Sequence, residues 1–126
     1  MYFSIFVEMT ELIAFLSTGK GTWGQVNGLI NGEEWEKIFL LTNEFGKENF
    51  SANNKTELLV FNQNDDYEKL RDQIIVSLKS KLSGSEIAVN FISGNGKEHM
   101  ALMSALIKLG IGFRFVISTP EEVKEI

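Results

Sequence analysis

Two short apolar runs in this sequence break off in the same way, and this shared pattern constrains the fold most. Residues 12–16 are followed by STGKG (17–21), and residues 87–92 are followed by SGNGK (93–97). A helical pattern follows the glycines in each case. Such a strand end aims loop amides and a helix N-terminus at one place, which anions and nucleotides commonly occupy. Both ends are therefore predicted to border a ligand site.

The same alternation continues along the chain. Strands are predicted at residues 12–16, 37–42, 57–61, 87–92 and 113–117, and helices at 23–30, 67–82 and 97–109. Apolar strands separated by helices indicate a parallel sheet that is covered on both faces. Right-handed crossovers then give a doubly wound, Rossmann-like α/β domain with a mainly parallel five-stranded sheet. The order 3-2-1-4-5 would place strands one and four side by side at the switch point, where such sheets bind ligands.

Local signals refine the remaining segments. Asn31 and Gly32 tolerate the left-handed conformation that ends many helices, so the first helix is predicted to stop there. Residues 43–54 are polar and predict at most a short helix near residues 45–50. The segment TPEE (119–122) has the pattern of a capping box and predicts a short final helix. Residues 1–8 are interpreted as a loosely specified N-terminal extension of the single domain 1–126.

Composition excludes several classes of function. The chain has 126 residues, no cysteine and a net charge of −5. Disulfides, thiolate nucleophiles and cysteine metal sites are therefore excluded, and binding along a nucleic-acid duplex is disfavoured because that requires a basic surface. No apolar run has the length of a membrane span, and no signal peptide is recognisable. These features favour a cytoplasmic protein with no metal site and no resident cofactor.

The glycine pattern after strand one resembles two phosphate-binding motifs without matching either. It lacks the Gly-Lys-Ser/Thr ending of a Walker motif. Gly19, Gly21 and Gly24 have the spacing of a dinucleotide fingerprint, but strand two ends in Thr42 and Asn43 rather than in the acidic residue that binds ribose. Glycines that merely form a tight turn are the plainer interpretation.

The segment after strand four is more specific. A hydroxyl residue, two glycines and a lysine occupy residues 93–97, and Met100 and an alanine-rich helix follow. This segment resembles the second signature of the CRISPR-associated Rossmann fold (CARF) family, although two residues rather than one separate Lys97 from Met100. The Ser-Thr-Gly end of strand one (17–19) resembles the family's first signature, and the resemblance covers the whole minimal domain.

The resemblance implies a homodimer that binds cyclic oligoadenylate, as a sensor or as a ring nuclease in antiviral signalling. It implies catalytic roles for Lys97 and Ser17. The ligand-binding residues that it implies are Thr18, Gly19, Lys20, Thr22, Asn43, Ser93, Gly94, Asn95 and Gly96. Two other classes remain open: a non-enzymatic nucleotide-sensing or interaction module, and a small Rossmann-like enzyme that uses another nucleotide cofactor. If the chain cleaves its ring, the absence of metal-ligand spacing predicts cleavage that needs no metal ion.

Two further expectations concern side chains near these ends. Trp23 is expected in the core rather than stacked on a base, and His99 on the helix surface rather than acting as a general base. The helix after strand four is expected to form the dimer contact, because its methionines add apolar surface and its alanines permit close approach. The four residues concerned are Met100, Ala101, Met103 and Ala105.

Overall fold

The computed structural model describes residues 11–83 and 86–126. The predicted extension 1–8 lies outside the described residues, and so does Gly84, where the sequence after residue 82 predicts the end of the long helix. Its elements alternate as predicted. They are β1 (Glu11–Phe15), α1 (Trp23–Asn31), β2 (Lys37–Thr42), α2 (Glu44–Asn49), β3 (Thr56–Val60), α3 (Tyr67–Lys79), β4 (Glu86–Asn90), α4 (Gly96–Lys108), β5 (Gly112–Ser118) and β6 (Val123–Glu125). A short 3-10 turn, Lys20–Thr22, precedes α1.

The strands form one sheet in the order β3-β2-β1-β4-β5-β6. The first five strands run parallel, and their order is the predicted one. Ala14 of β1 pairs with Leu40 of β2 on one side and with Asn90 of β4 on the other. Since the connections from β1 and from β4 lead in opposite directions across the sheet, their ends form the switch point of a doubly wound fold.

Each sheet face carries its own apolar layer. On one face α1 packs over the sheet through Val26 and Leu29, with Trp35 beneath it. On the other face α3 and α4 pack through Leu70, Ile74 and Leu102. The central strand β1 is buried along its whole length because both layers cover it. The predicted arrangement of helices on both faces is confirmed.

The predicted final helix is wrong. Residues after β5 turn back, and Val123–Glu125 pairs antiparallel with β5 as a sixth strand. The Thr119 hydroxyl accepts a hydrogen bond from the Glu122 amide at 3.0 Å and donates to the Glu122 carbonyl at 2.7 Å. The same Thr-x-x-Glu spacing that can cap a helix therefore closes a hairpin turn here, where pairing with β5 is available.

The end of α1 also differs from the expectation. The helix does stop at Asn31, but Gly32 has φ −85° and is not left-handed. Glycine is required there for a different reason. A Cβ on Gly32 would lie 2.7 Å from Cγ2 of Val123 and 2.6 Å from the Gly28 carbonyl oxygen. The close approach of β6 to the end of α1 explains the glycine.

Candidate functional site

The ends of β1 and β4 are joined directly at the switch point. The backbone amide of Ser17 donates a 2.7 Å hydrogen bond to Oγ of Ser93. Ser93 is 1% exposed, so this bond lies at the bottom of the junction between the two strands. The two segments that the sequence singles out are thus brought together, and Ser93 acts as the link between them rather than as a surface ligand.

A cavity of about 270 Å³ opens beside this junction. Its wall comes from the carboxyl ends of β1, β2 and β3 and from the first turn of α4. Six residues predicted for the site line it: Ser17, Thr18, Gly19, Asn43, Gly94 and Asn95. Among the described lining residues Glu98 carries the one charge, so any anion here would be held by amides and hydroxyls rather than by a cation.

The first turn of α4 is organised by a capping box. The Asn95 side chain accepts from the Glu98 amide at 2.9 Å, and the Glu98 carboxylate accepts from the Asn95 amide at 2.9 Å. The first four amides of a helix have no acceptor within it. Because the box uses two donors, the amides of Gly96 and Lys97 are left without an acceptor among the described residues.

A second network crosses the cavity from β1 to the loop after β3. Asn43 caps α2 through Oδ1, which accepts from the Gly46 amide at 3.0 Å. Its Nδ2 donates to Oγ1 of Thr18 and, at 2.7 Å, to Oε1 of Gln63. The Thr18 hydroxyl also donates to Oε1 of Gln63, at 3.0 Å. Thr18 and Asn43 are therefore fixed by each other and by a residue of the β3–α3 loop.

Lys97 lies outside the cavity wall. Its ammonium donates to the carbonyl oxygens of Gln63, at 2.8 Å, and of Asp65, at 2.6 Å. Two of the three donors of the ammonium are thereby used on the β3–α3 loop. In this structure Lys97 holds the loop that carries Gln63 against the start of α4.

Gly94 and His99 form a tight cluster behind the first turn of α4. Gly94 has φ +99°, and a Cβ there would lie 3.0 Å from Cβ of Phe15 and from Nε2 of His99. The His99 ring stacks on Phe91 at 4.4 Å, and its Nε2 lies 2.7 Å from the Ser93 carbonyl oxygen. His99 is therefore half-buried between Phe91, just after β4, and Phe15 of β1, and it is not the freely exposed surface residue that was expected.

Four other residues considered for the site, Lys20, Thr22, Trp23 and Gly96, lie outside the cavity wall. Lys20 is exposed, with its ammonium 5.6 Å from the ring centre of Trp23. Trp23 is buried in the core as expected and donates from Nε1 to the Ser17 carbonyl at 2.9 Å. Thr22 has a buried hydroxyl that finds no partner among the described residues. Gly96 is exposed beyond the cap of α4.

The β3–α3 loop contributes to the cavity although no residue of it was predicted for the site. Phe61, Asn62 and Gln63 all line the cavity, and Glu98 does so from α4. A signal was present, because three consecutive amide residues, 62–64, follow the third strand. In the order 3-2-1-4-5 that strand end lies two places from β1, within reach of long side chains.

The dinucleotide interpretation of the glycines finds no support in their surroundings. In a dinucleotide fingerprint the glycines permit close backbone approach and tight packing of helix on strand. Here a Cβ on Gly19, Gly21 or Gly24 would meet nothing within 4 Å. None of the three has a positive φ, so neither close packing nor backbone conformation requires glycine at these positions.

The helix expected to form a dimer contact presents a narrower apolar surface than predicted. Ala101 and Ala105 are buried beneath α3 and against the sheet, so they cannot contact a second copy. Met100 and Ile107 are 63% and 65% exposed. The apolar surface that α4 offers consists of these larger side chains.

Neither a metal centre nor a membrane span is found in the described part of the chain. Among residues 11–83 and 86–126, His, Asp and Glu do not gather in any group of three that could hold an ion. No helix there is both long and apolar enough to cross a bilayer.

Comparisons with known proteins identify no family for this chain. A scan against protein-family models gives no match, and a search of the curated proteins gives none either. The function therefore has to be inferred from the site itself.

Proposed function

We propose that this chain is a cytoplasmic, CARF-like nucleotide-binding domain that binds cyclic oligoadenylate as a homodimer. The observation that carries the proposal is the junction of the β1 and β4 ends, joined from the Ser17 amide to Ser93 beside an open cavity. In open α/β sheets this is the place where nucleotides bind. The two joined segments are also those that resemble the CARF signatures.

The donors around the cavity suit a sugar-phosphate group. Thr18 and Gly19 line the cavity, and their backbone amides have no acceptor among the described residues. The free amides of Gly96 and Lys97 belong to the helix turn that borders it. Backbone amides at a helix start bind phosphate without a lysine, and the Glu98 carboxylate in the wall is itself occupied by the Asn95 amide.

The size of the cavity supports a site for one nucleotide unit. Pockets that enclose whole drug-sized ligands have volumes of about 300–1,000 Å³. The cavity of about 270 Å³ lies below that range and is too small for an entire cyclic oligonucleotide. Two copies related by a two-fold axis would supply equivalent cavities to a symmetric ring.

An exposed apolar patch supports the pairing of two copies. Tyr67 of α3 and Met100 of α4 line one shallow depression, and Ile107 lies two turns further along α4. Tyr67 is 52% exposed. A patch of large apolar side chains next to a binding site is typical of an interface between subunits.

The geometry favours binding over cleavage of the ring. The Lys97 ammonium is held by two loop carbonyls, and the Ser17 hydroxyl donates to the Gly19 carbonyl at 2.8 Å. Neither group is positioned to stabilise a developing charge or to accept a proton without leaving its partner. We therefore propose a sensor; slow, metal-independent cleavage is the second candidate, supported by the resemblance of this segment to the CARF signature.

The test is a thermal-shift panel followed by calorimetry. Cyclic tri-, tetra- and hexa-adenylate are compared with NAD, FAD and S-adenosylmethionine. A ligand at one hundred times its Kd should stabilise the fold by about 2.7 kcal/mol, so binding gives a clear shift. Stabilisation by a cyclic oligoadenylate is expected; stabilisation by NAD or FAD alone would overturn the proposal.

Chemistry is tested on the same samples. Labelled cyclic tetra-adenylate is incubated with the protein with and without EDTA, and its products are separated. An intact ring after binding is the expected result for a sensor. Cleavage that persists in EDTA would establish the ring nuclease instead, whereas cleavage abolished by EDTA would contradict both forms of the proposal.

A further inference from the structure

A second, wider cleft continues from the switch-point cavity across the ends of β2 and β3. It has a volume of about 460 Å³ and shares Thr18, Asn43 and Gln63 with the cavity. Phe45 of α2 and Asn64 of the β3–α3 loop belong to its wall but not to that of the cavity. We call this second space the amide cleft. The hydrogen-bonded side chains of Thr18, Asn43 and Gln63 form a boundary that the two spaces share, so a ligand held in the cavity would extend over this bridge into the cleft.

The chemistry of the amide cleft differs from that of a phosphate site. Four carboxamide side chains line it, and Phe45 and Phe61 contribute aromatic rings. Phe45 is 37% exposed, although it is a large apolar residue. Among the described lining residues no cation occurs, and Glu44 adds a negative charge. An uncharged, flat, polar ring fits this wall better than a phosphate does, because bases bind by stacking on aromatic rings and by hydrogen bonds to their edges.

The orientation of one amide is determined by the network around it. Oδ1 of Asn43 is used by the Gly46 amide, so Nδ2 of Asn43 must be the group that donates to Gln63. Oε1 of Gln63 accepts that bond and a second one from Thr18. The NH₂ group of Gln63 has no acceptor among the described residues and is exposed, so it is available to donate to a ligand.

Asn64 offers the complementary capacity. Its backbone amide donates to Oδ1 of Asn62 at 2.9 Å, but its own carboxamide has no partner among the described residues. Both the oxygen and the NH₂ group are thus free. A carboxamide with both groups free matches the adenine edge, which presents the N6 donor beside the N7 acceptor. Guanine presents two acceptors on that edge and would oppose its O6 to the amide oxygen.

We propose that the amide cleft is a nucleobase subsite selective for adenine, read by Asn64 and Gln63 and stacked by Phe45 or Phe61. This inference rests on the proposed function, because it places the base in the cleft when the sugar-phosphate occupies the switch-point cavity. Lys97 acts on the subsite as a positioning residue, since it holds the loop carbonyls of Gln63 and Asp65.

The first test compares Asn64→Ala with Asn54→Ala. Asn54 is an exposed loop asparagine before β3, at the opposite end of the sheet. Affinities for adenosine 5′-monophosphate, guanosine 5′-monophosphate and ribose 5-phosphate are measured by calorimetry. Loss of a bidentate base contact should weaken binding of the adenine nucleotide about tenfold in Asn64→Ala, leaving ribose 5-phosphate unchanged. Asn54→Ala should bind all three as the natural sequence does.

The second test is Gln63→Glu. The carboxylate keeps an oxygen for Asn43 and Thr18 but replaces the NH₂ donor with an acceptor, so folding should be retained and adenine binding reduced. Equal affinity of the unaltered protein for the adenine and guanine nucleotides, or unchanged adenine binding in both variants, would overturn the subsite while the proposed function stands. Absence of binding to any nucleotide, cyclic oligoadenylates included, would overturn both.

Discussion

The loops after β1 and β4 have similar sequences but are built very differently. After β4, Ser93 is buried, Gly94 has a positive φ, and Lys97 is tied to a neighbouring loop. After β1, by contrast, residues 18–21 are exposed, and the glycines at positions 19 and 21 have open space around them. The loop after β1 contributes free donors, whereas the loop after β4 fixes the geometry.

This difference shows that similar residue content does not establish similar roles. Each loop offers glycine, a hydroxyl and lysine, yet the glycine at position 94 is required by conformation and the one at position 19 is not. The first helix turn accounts for the contrast. A capping box and the Phe15–His99 contact constrain the start of α4, while a 3-10 turn without a side-chain cap leads into α1. Matched substitutions at the two loops test this comparison.

The largest effect is expected for Gly94→Ala against Gly19→Ala. Alanine at position 94 would be strained at φ +99° and would press on Phe15 and His99, each 3.0 Å from the new Cβ. The variant should lose about 2–3 kcal/mol of unfolding free energy. Gly19 has φ −77° and free space, so alanine there should be neutral or stabilising by about 0.5 kcal/mol. Urea denaturation measures both values, and equal losses would show that the loops are equivalent.

The next largest effect is expected when Ser93→Ala is compared with Ser17→Ala. Ser93→Ala removes the acceptor of the Ser17 amide and leaves that donor unpaired near the core, which should cost about 2 kcal/mol. Ser17→Ala removes a hydroxyl whose bond to the Gly19 carbonyl is exposed, so its cost should be below about 0.5 kcal/mol. If the slope of the urea denaturation curve (the m value) is unchanged, the shift of its midpoint measures the loss of unfolding free energy. A larger loss for the Ser17 variant would reverse the comparison.

The fold was predictable in those segments where the local sequence pattern and the sheet topology indicate the same structure. The five parallel strands are apolar runs bounded by glycine and polar residues, and their order follows from crossover handedness and the two matching loops. The sixth strand was not predictable, because Val123–Glu125 is three residues long and becomes a strand through pairing with β5. The Thr119–Glu122 spacing is compatible with a helix cap and with a hairpin turn. The pairing of the following residues with β5 selects the turn.

The site was predictable in position but not in detail. The β1 and β4 ends meet because the topology requires it, and Asn43 and Thr18 line the cavity as expected. The run of amides 62–64 marks the loop, but the role of Gln63 itself could not be assigned from sequence, because it depends on Asn43 and Lys97, 20 and 34 residues away. The partners of Lys97 are backbone carbonyls, and no side-chain pattern reveals those.

A smaller effect is expected for the two lysines. Lys97→Ala removes two charge-assisted hydrogen bonds from a half-buried ammonium and should cost about 1.5 kcal/mol of stability. It should also weaken nucleotide binding, because the β3–α3 loop loses its attachment. Lys20→Ala removes one exposed contact with Trp23, worth about 0.5 kcal/mol. Denaturation measures the stability of both variants, and calorimetry measures their nucleotide affinity. A larger loss of affinity in Lys20→Ala than in Lys97→Ala would mean that the β1 loop is the main ligand contact.

The smallest effect, with the opposite sign, is expected for Thr22→Val. The Thr22 hydroxyl is buried and has no partner among the described residues, and an unpaired buried hydroxyl lowers stability. Valine keeps the branched shape without the polar atom, so the unfolding free energy should rise by about 0.5–1 kcal/mol. Nucleotide affinity should not change, because Thr22 does not line the cavity. A loss of affinity in this variant would mean that the β1 loop rearranges on binding and exposes Thr22. The two loops would then also differ in mobility: the loop after β1 would move when the ligand binds, and the loop after β4 would stay fixed.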